Sequence, residues 1–192
     1  MTEHLPLNTE PLPVKLRIED YLLLDRSGAF DAYAKTELIE GEIYFMNAQH
    51  RPHALAKMEL YDAFRDRLRV LGSPLRPIVE ASIAIPDRSA PEPDIVLTSE
   101  PIGPGLVPVA SVALVVEVSD TTLPTDLGRK AALYARHGIP EYWVADLQGG
   151  LLHQMWTPDG ETYAERREVS FGHRVTAATI KGLAVETTGC IP

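Results

Sequence analysis

Two carboxylates stand out because the residues around them are apolar. Glu117 lies alone in the apolar segment VALVVEVS (residues 112–119), and Asp94 follows Pro93 in the segment PEPDIVL. A carboxylate inside an apolar strand is costly to bury unless it is paired or binds a cation. Glu117 is therefore predicted to bind a divalent cation; the alternatives are a half-exposed strand end or an ion pair with an arginine.

The two carboxylates are more informative together than apart. Asp94 alone is equally well explained as a turn or capping residue. If the two lie on neighbouring strands, one sheet spacing of ~5 Å separates them, and they form a site of hard oxygen ligands. Mg²⁺ suits such a site, with Mn²⁺ as the second choice, because it takes one or two carboxylates and keeps several waters. Asp94 and Glu117 are the predicted metal ligands.

Lys130 lies beyond Glu117 on the next predicted element, a helix over residues 126–137. Residues three and four apart share a helix face, so Lys130 lies beside the apolar Leu127. Because that leucine favours burial, we expect the ammonium group of Lys130 to point into the cleft of Asp94 and Glu117. A lysine there can orient or deprotonate a water molecule and offset the charge of a phosphate. The alternative is a solvated lysine on the outer helix face.

The elements that must position these residues follow from hydrophobic periodicity. Segment 112–119 is apolar on both faces apart from Glu117, which predicts a central strand covered on both sides. Together with the helix over 126–137 and a strand over 141–147, it predicts a strand–helix–strand crossover with short connections. The other predicted elements are a helix over 16–30, a hairpin over 36–46 turning at Glu40-Gly41, a helix over 52–71 ended by Gly72, strands over 75–85 and 94–98, two strands after Gly149-Gly150, and short strand or coil over about 171–188.

This order of elements predicts an α/β fold. Its mixed central sheet is flanked by helices, with an extra N-terminal hairpin and additional C-terminal strands. Residues 1–14 contain several prolines and few apolar anchors, so they are predicted to form a loose tail. Residues 15–192 are predicted to form a single domain.

The composition excludes several classes of protein. A chain of 192 residues with 45% hydrophobic and 23% charged residues is typical of one globular domain. A net charge of −9 excludes a polycation that coats nucleic acid, but not a local basic site. The single cysteine, Cys190, cannot form an intramolecular disulfide or a cysteine-rich zinc site. The N-terminus lacks the apolar core of a secretory signal, and no apolar run reaches the ~20 residues of a membrane span. A cytoplasmic protein with no membrane partner is predicted.

Several of these segments, taken in order, resemble one known family. They are similar to the Uma-type restriction endonucleases, a family of unknown function within the PD-(D/E)XK nuclease superfamily. The resemblance covers about residues 17–187. The matching segments are ELIEGEIYFM, the helix that His53 begins, PEPDIVL, LVVEVSD, the block DLGRKAALYARHGIPEYWVADL and the terminal strands.

The resemblance implies a restriction-endonuclease-like core and assigns roles to four residues. Asp94 matches the aspartate of the PD motif, and Glu117 matches the acidic residue of the (D/E)XK motif. The lysine of that motif would fall at position 119, where this chain has Ser119. The resemblance therefore implies that Lys130, on the following helix, replaces it. His53 matches a recurring histidine at the start of the first core helix, where a site role and a local hydrogen bond are equally good explanations.

Two further acids match the hairpin motif of the family. Either Glu37 or Glu42 could be a third acid of the site, but we interpret both as solvated charges on the strands. The pair Tyr142-Trp143 is interpreted as core packing rather than a platform for nucleobases, and strand alternation predicts that only one of the two points inwards.

The resulting functional hypothesis is a Mg²⁺-dependent endonuclease that hydrolyses DNA phosphodiester bonds. The predicted catalytic residues are Asp94, Glu117, Lys130 and His53. A homodimer is expected, because two copies of one site related by a two-fold axis can cut both strands. The alternatives are a non-catalytic module that keeps the nuclease fold and a hydrolase of small phosphate or acyl substrates. Basic residues that could contact phosphates are Arg51, Arg65, Arg67, Arg69, Arg129, Arg136 and His137.

Overall fold

Helices and strands alternate along most of the chain. The computed structural model describes residues 11–46, 48–86 and 88–190. The helices are α1 (Ile18–Arg26), α2 (Arg51–Leu71), α3 (Leu123–Thr125) and α4 (Ala131–Arg136). The strands are β1 (Lys35–Ile39), β2 (Glu42–Met46), β3 (Arg76–Val79), β4 (Ile83–Ala84), β5 (Ile95–Thr98), β6 (Val107–Pro108), β7 (Val112–Ser119), β8 (Glu141–Asp146), β9 (Leu151–Asp159), β10 (Thr162–Ser170), β11 (Arg174–Thr176) and β12 (Ala184–Glu186).

The centre of the fold is a six-stranded mixed sheet with the strand order β10-β9-β8-β7-β5-β3. Strands β7 and β8 pair in parallel, and the other neighbours in this sheet pair antiparallel. A parallel pair needs a crossover connection, which the segment from α3 to α4 provides. The predicted α/β fold with a mixed central sheet is confirmed, and β7 is the central, buried strand that its apolar sequence predicted.

Helix α2 covers one face of the sheet. Its buried side chains repeat at every fourth position, which keeps them on one face of the helix. They are Ala56, Leu60, Phe64 and Leu68. The helix has Pro52 in its first turn and ends at Gly72, whose φ of 60° is left-handed backbone that favours glycine. The helix begins one residue before the predicted start at residue 52 and ends at Leu71, as predicted.

The segment from α3 to α4 covers the opposite face. A π-helical turn, Asp126–Lys130, joins the two helices, so the helix begins earlier than the predicted residue 126 and is not regular throughout. Leu133 and Tyr134 pack from α4 against the sheet. A π turn inserts one residue into a helix and often occurs at a functional site.

Tyr142 and Trp143 are both fully buried, although strand alternation predicted that only one would point inwards. That prediction is wrong because helices cover both faces of the sheet at β8. The Trp143 ring packs against Phe64 of α2 at 5.4 Å between centroids, and the Tyr142 ring packs against Tyr134 of α4 at 5.0 Å. The interpretation of the pair as core packing is confirmed.

Two other predicted elements differ from the structure. The first helix is shorter than residues 16–30, because turns follow it from Ser27 onwards. The strand predicted over 75–85 is interrupted at Glu80, whose φ of 51° turns the chain out of the sheet. After this break, β4 pairs in parallel with β6 rather than with the central sheet.

The predicted N-terminal hairpin is present and lies beside the sheet. Strands β1 and β2 pair antiparallel around Glu40 and Gly41. Leu38 forms a bridge with Ala90 and is fully buried, together with Tyr21 of α1. These contacts fix β1, and with it Glu37, against the rest of the molecule.

The two ends of the chain are only partly described. Residues 1–10 of the predicted tail and residues 191 and 192 lie outside the described residues, and residues 11–14 have no regular structure. The single domain over 15–192 stays a prediction. At the C-terminus, β11 and β12 form a small sheet, as expected. None of the helices in the described ranges is long and apolar enough to cross a membrane.

A fully buried carboxylate joins this C-terminal part to the central sheet. Glu141 begins β8 and is 0% exposed. Its oxygens accept hydrogen bonds from Trp143 Nε1 (2.7 Å) and Gln154 Nε2 (2.5 Å), from the backbone N–H groups of Ala178 (3.0 Å) and Thr179 (2.8 Å), and from Thr179 Oγ1 (2.7 Å). Hydrogen bonds replace a cationic partner here, so Glu141 has a structural role.

We expect Glu141→Gln to lower the free energy of unfolding by about 1–3 kcal/mol for each buried donor that is left without an acceptor. The amide nitrogen of glutamine donates, so it cannot replace the oxygen that accepts from Thr179 N. Urea unfolding would measure the loss, with the exposed Glu165→Gln in β10 as the matched control. Equal unfolding free energies of both variants would contradict this assignment.

Candidate active site

Glu117 is held on the sheet face that α4 covers. Its neighbours Val116 and Val118 point to the α2 face, so strand alternation turns Glu117 to the other side. The residue is 4% exposed. Its Oε1 atom accepts hydrogen bonds from Lys130 Nζ at 2.9 Å and from Tyr134 Oη at 3.0 Å. The buried carboxylate is thus paired, with a lysine of the following helical segment rather than with an arginine.

Asp94 immediately precedes the neighbouring strand β5 and lies opposite Glu117. Strand β5 pairs with β7 so that Ile95 faces Val116, and continuing this register by one residue brings Asp94 opposite Glu117. Directly opposed side chains of antiparallel strands lie on the same face, with Cβ atoms about 4.5–5.5 Å apart. Asp94 Oδ2 also accepts the backbone N–H of Val118 at 2.8 Å. The two predicted ligands therefore meet at the same point of the sheet.

Lys130 is buried in the cleft at the end of the π turn, with 4% exposure. Its Nζ atom contacts Glu117 at 2.9 Å and Glu37 Oε1 at 3.3 Å. The expected direction of the ammonium group agrees with this structure, and a solvated lysine on the outer face does not.

Glu37 and Glu42 differ in burial, although the sequence predicted solvated charges for both. For Glu37 the prediction is wrong, because the residue is 1% exposed and also accepts the backbone N–H of Glu92 at 3.1 Å. The hairpin turns it towards Lys130. Glu42 is exposed, as expected, and pairs with Lys15 on the surface.

His53 contacts the site from the first turns of α2. Its Nε2 atom lies 3.2 Å from Asp94 Oδ2. Its Nδ1 atom is buried and has no hydrogen-bond partner within the described part of the chain. A proton on Nε2 therefore satisfies Asp94 and leaves Nδ1 as an unpaired acceptor.

The sequence analysis missed three polar residues beside Asp94. Lys57 Nζ lies 2.7 Å from Glu80 Oε1 and 3.6 Å from Asp94 Oδ1, and Gln49 Nε2 lies 3.3 Å from the same Asp94 oxygen. Lys57 lies four residues after His53, so both side chains leave α2 on one face. The spacing of four residues from His53 could have predicted Lys57 as a site residue, whereas no sequence pattern points to Glu80 or Gln49.

The pKa values of Glu117 and Asp94 are shifted in opposite directions. Burial raises the pKa of Glu117 to about 8, against the opposing effect of the Lys130 charge. Burial also opposes ionisation of Asp94, but the hydrogen bond and charge of His53 and the Val118 N–H outweigh it, so the pKa of Asp94 lies below its ordinary value. For Lys130, burial is outweighed by Glu117 and other nearby carboxylates, which raise its pKa and keep it charged.

These residues line a cleft of about 400 Å³. No group of three or more His, Cys, Asp or Glu side chains arranged to hold a metal occurs among the residues that the structure describes. The chemistry of the donors that are present nevertheless fits one hard cation. Asp94 and Glu117 offer carboxylate oxygens side by side, and Glu117 Oε2 accepts no hydrogen bond from the described residues. Such a set suits Mg²⁺, which completes its shell with water, better than zinc.

Three of the six arginines expected to contact phosphate have acidic partners. Arg129 pairs with Glu40 at 3.2 Å and stacks on the Tyr44 ring, and Arg136 pairs with Glu40 at 2.8 Å and with Glu161 at 2.7 Å. On α2, Arg65 pairs with Asp62 and Asp66, and Arg67 donates to the carbonyl of Gly182. The exposed Arg51 and Arg69 have no ion-pair partner in the described ranges. A continuous basic face is therefore not formed by these residues.

The mixed sheet, with paired acids at β5 and β7 and a lysine from the crossover helix, defines a protein of the restriction-endonuclease-like class. The family model described as "Uma2: Putative restriction endonuclease" matches residues 18–188. Because this match spans most of the 192 residues, the chain belongs to the Uma2 family. The resemblance noted in the sequence is thereby confirmed.

A solved structure shares this fold. The crystal structure of "a putative nuclease belonging to DUF820" from Anabaena variabilis is similar to this chain with a TM-score of 0.67 and 14% sequence identity. The similarity covers 91% of this chain and 97% of that chain, so nearly all of both folds corresponds. No curated protein matches the sequence.

Proposed function

We propose that this protein is a Mg²⁺-dependent endonuclease that hydrolyses phosphodiester bonds of DNA. The observation that carries the proposal is the meeting of Asp94, Glu117 and Lys130 in one cleft, with Lys130 Nζ 2.9 Å from Glu117. Phosphodiester hydrolysis needs a cation to offset the phosphate charge and a group that positions the attacking water. The family description supports the same reaction class.

Asp94 and Glu117 would hold the cation. When bound there, Mg²⁺ would polarise the scissile phosphate and lower the pKa of a water ligand. Asp94 is already ionised and positioned by the Val118 N–H, so it offers a preorganised oxygen ligand. Glu117 must exchange its proton for the cation, because burial raises its pKa.

Lys130 would stabilise the charge that develops on the phosphate and orient the attacking water. Its contact with Glu37 at 3.3 Å would keep the ammonium group in the cleft if Glu117 held a cation. Lys130 would thus take the place of the motif lysine, which would fall at position 119, where this chain has Ser119. A charged lysine favours electrostatic stabilisation over the role of general base.

His53 would act as a positioning residue. Its Nε2 atom contacts the carboxylate oxygen of Asp94 that also accepts the Val118 N–H. The imidazole thus orients Asp94 rather than contacting the substrate.

A non-catalytic binding module with the nuclease fold is the second candidate. The net charge of −9 and the acidic partners of Arg129 and Arg136 favour it, because duplex DNA is bound through a positive path of lysine and arginine. Such a module would not need a cation between Asp94 and Glu117. Cation-dependent cleavage of DNA therefore distinguishes an endonuclease from a binding module.

The decisive experiment is a cleavage assay on supercoiled plasmid and on single-stranded DNA, with Mg²⁺, with Mn²⁺ and with EDTA. We expect cleavage with either cation and none with EDTA. Asp94→Ala, prepared in parallel, distinguishes this activity from a contaminating nuclease. Light scattering of the purified protein would test the expected homodimer. Intact DNA under every condition would favour the binding module.

A further inference from the structure

An exposed pair of aromatic rings stands where the active-site cleft meets a second cavity. Phe45 lines the cleft and is 62% exposed, whereas Tyr33 lines the second cavity and is 50% exposed. Their ring centroids lie 5.3 Å apart with an interplanar angle of 34°. The two rings are tilted against each other, and each is at least half exposed.

The second cavity adjoins the cleft. It has a volume of about 660 Å³, within the range of about 300–1,000 Å³ that is usual for small-molecule sites. Lys35, Ala48 and Gln49 line both cavities. The two cavities are therefore neighbours, with these three residues and the aromatic pair between them.

The charges in the second cavity indicate which part of a nucleotide it accepts. Its walls include the carboxylates of Asp25, Asp31, Glu80 and Glu92, which repel phosphate. Glu92 is paired with Lys35 at 3.3 Å and Glu80 with Lys57 at 2.7 Å, whereas Asp25 and Asp31 have no ion-pair partner among the described residues, so the cavity keeps a net negative charge. Carboxylates do accept hydrogen bonds from the amino groups of nucleobases. Aromatic rings and acids together suit a base rather than a backbone.

We propose that the second cavity receives an unpaired nucleobase of the substrate, stacked on Tyr33 and Phe45, and that the protein binds single-stranded nucleic acid in preference to duplex. This inference rests on the proposed nuclease function. Stacking on aromatic side chains binds single strands with little dependence on sequence. The acidic partners of Arg129 and Arg136 weaken the positive path that duplex binding needs, which leaves base stacking as the stronger source of affinity.

The test is binding without cleavage, measured by fluorescence anisotropy of labelled DNA and RNA 12-mers in EDTA. Each sequence is compared with an abasic oligonucleotide of the same length and with the matching duplex. We expect the single strand to bind more tightly than both. Phe45→Leu and Tyr33→Ala should each weaken its binding about 5- to 100-fold and leave binding of the abasic strand unchanged. Tyr33→Phe keeps the ring and should retain tight binding.

The exposed Ile102→Ala serves as the surface control, since Ile102 is 91% exposed and lies outside both cavities. Equal binding of normal and abasic strands by a wild-type protein that cleaves plasmid would overturn this inference alone. Failure to bind or cleave any nucleic acid would overturn the nuclease proposal as well. If light scattering shows that Phe45→Leu dissociates a dimer while oligonucleotide binding stays unchanged, the rings belong to a subunit contact and the inference is wrong.

Discussion

Replacing Lys130 with methionine is expected to reduce the rate of DNA cleavage by about 10²- to 10³-fold, the usual effect of removing one group that stabilises transition-state charge. Lys130 is the only cation in contact with Glu117 among the described residues, at 2.9 Å. Methionine keeps the length and apolar stem of the side chain but cannot face a phosphate with positive charge. Single-turnover cleavage at saturating Mg²⁺ would measure the loss in the chemical step.

The same substitution also affects stability, because Lys130 is 4% exposed and contacts the two buried acids Glu37 and Glu117. Breaking a buried ion pair from one side costs about 3–5 kcal/mol, less where the remaining acids take up protons. Cleavage must therefore be compared at a temperature where circular dichroism shows both proteins folded. Lys181→Met, at an exposed lysine, is the matched control. A folded Lys130→Met protein that cleaves at the wild-type rate would contradict the role of Lys130.

Lys130→Arg tests whether the site needs only a positive charge at this position or also the compact shape of an ammonium group. The guanidinium group is larger and planar, and it cannot lose its proton in a protein. Glu37, Glu117 and Tyr134 close the pocket around this side chain. Compared with Lys130→Met, we therefore expect Lys130→Arg to restore part of the stability but little of the cleavage rate.

The central part of the fold could be predicted because local and tertiary preferences agree there. Pro52 and Gly72 mark the two ends of α2, and the apolar segment of β7 fits only a strand with both faces covered. The segment PIVEASIAI has the composition of one continuous strand. Its break at Glu80 depends on the pairing of β4 with β6, a contact that no local pattern reveals.

The predictability of the site residues follows from the same physics. Asp94, Glu117 and Lys130 could be found because a charge among apolar neighbours needs a partner, and the crossover connection brings them together. Glu37 and Lys57 lie in a hairpin strand and a helix, where charged residues are ordinary. Only the packing of the hairpin and of α2 against the sheet buries Glu37 and brings Lys57 beside Asp94, so tertiary contacts rather than sequence pattern assign them to the site.

Mg²⁺ binding is expected to strengthen about tenfold for each pH unit between pH 6 and pH 8, and then to level off. The pKa of Glu117 is raised from 4.5 to about 8 by burial, so the metal-free protein holds a proton on this acid at neutral pH. A cation that binds the carboxylate must displace that proton, which makes its affinity proportional to the ionised fraction. Calorimetric titrations in buffers of different ionisation enthalpy would count the protons released.

The proton on Glu117 should also change the free energy of unfolding with pH in the absence of Mg²⁺. Between pH 4.5 and about pH 8 the native protein holds a proton on Glu117 that the unfolded chain releases. The contribution of Glu117 to the free energy of unfolding must therefore fall as the pH rises through this window, and Mg²⁺ should restore it most strongly near pH 8. Asp120→Asn removes one charge from the cleft wall without touching Glu117, and should preserve both effects. A Mg²⁺ affinity that stays constant from pH 6 to pH 8 would mean that Lys130 keeps Glu117 ionised throughout, and that the site exchanges a lysine contact rather than a proton for its cation.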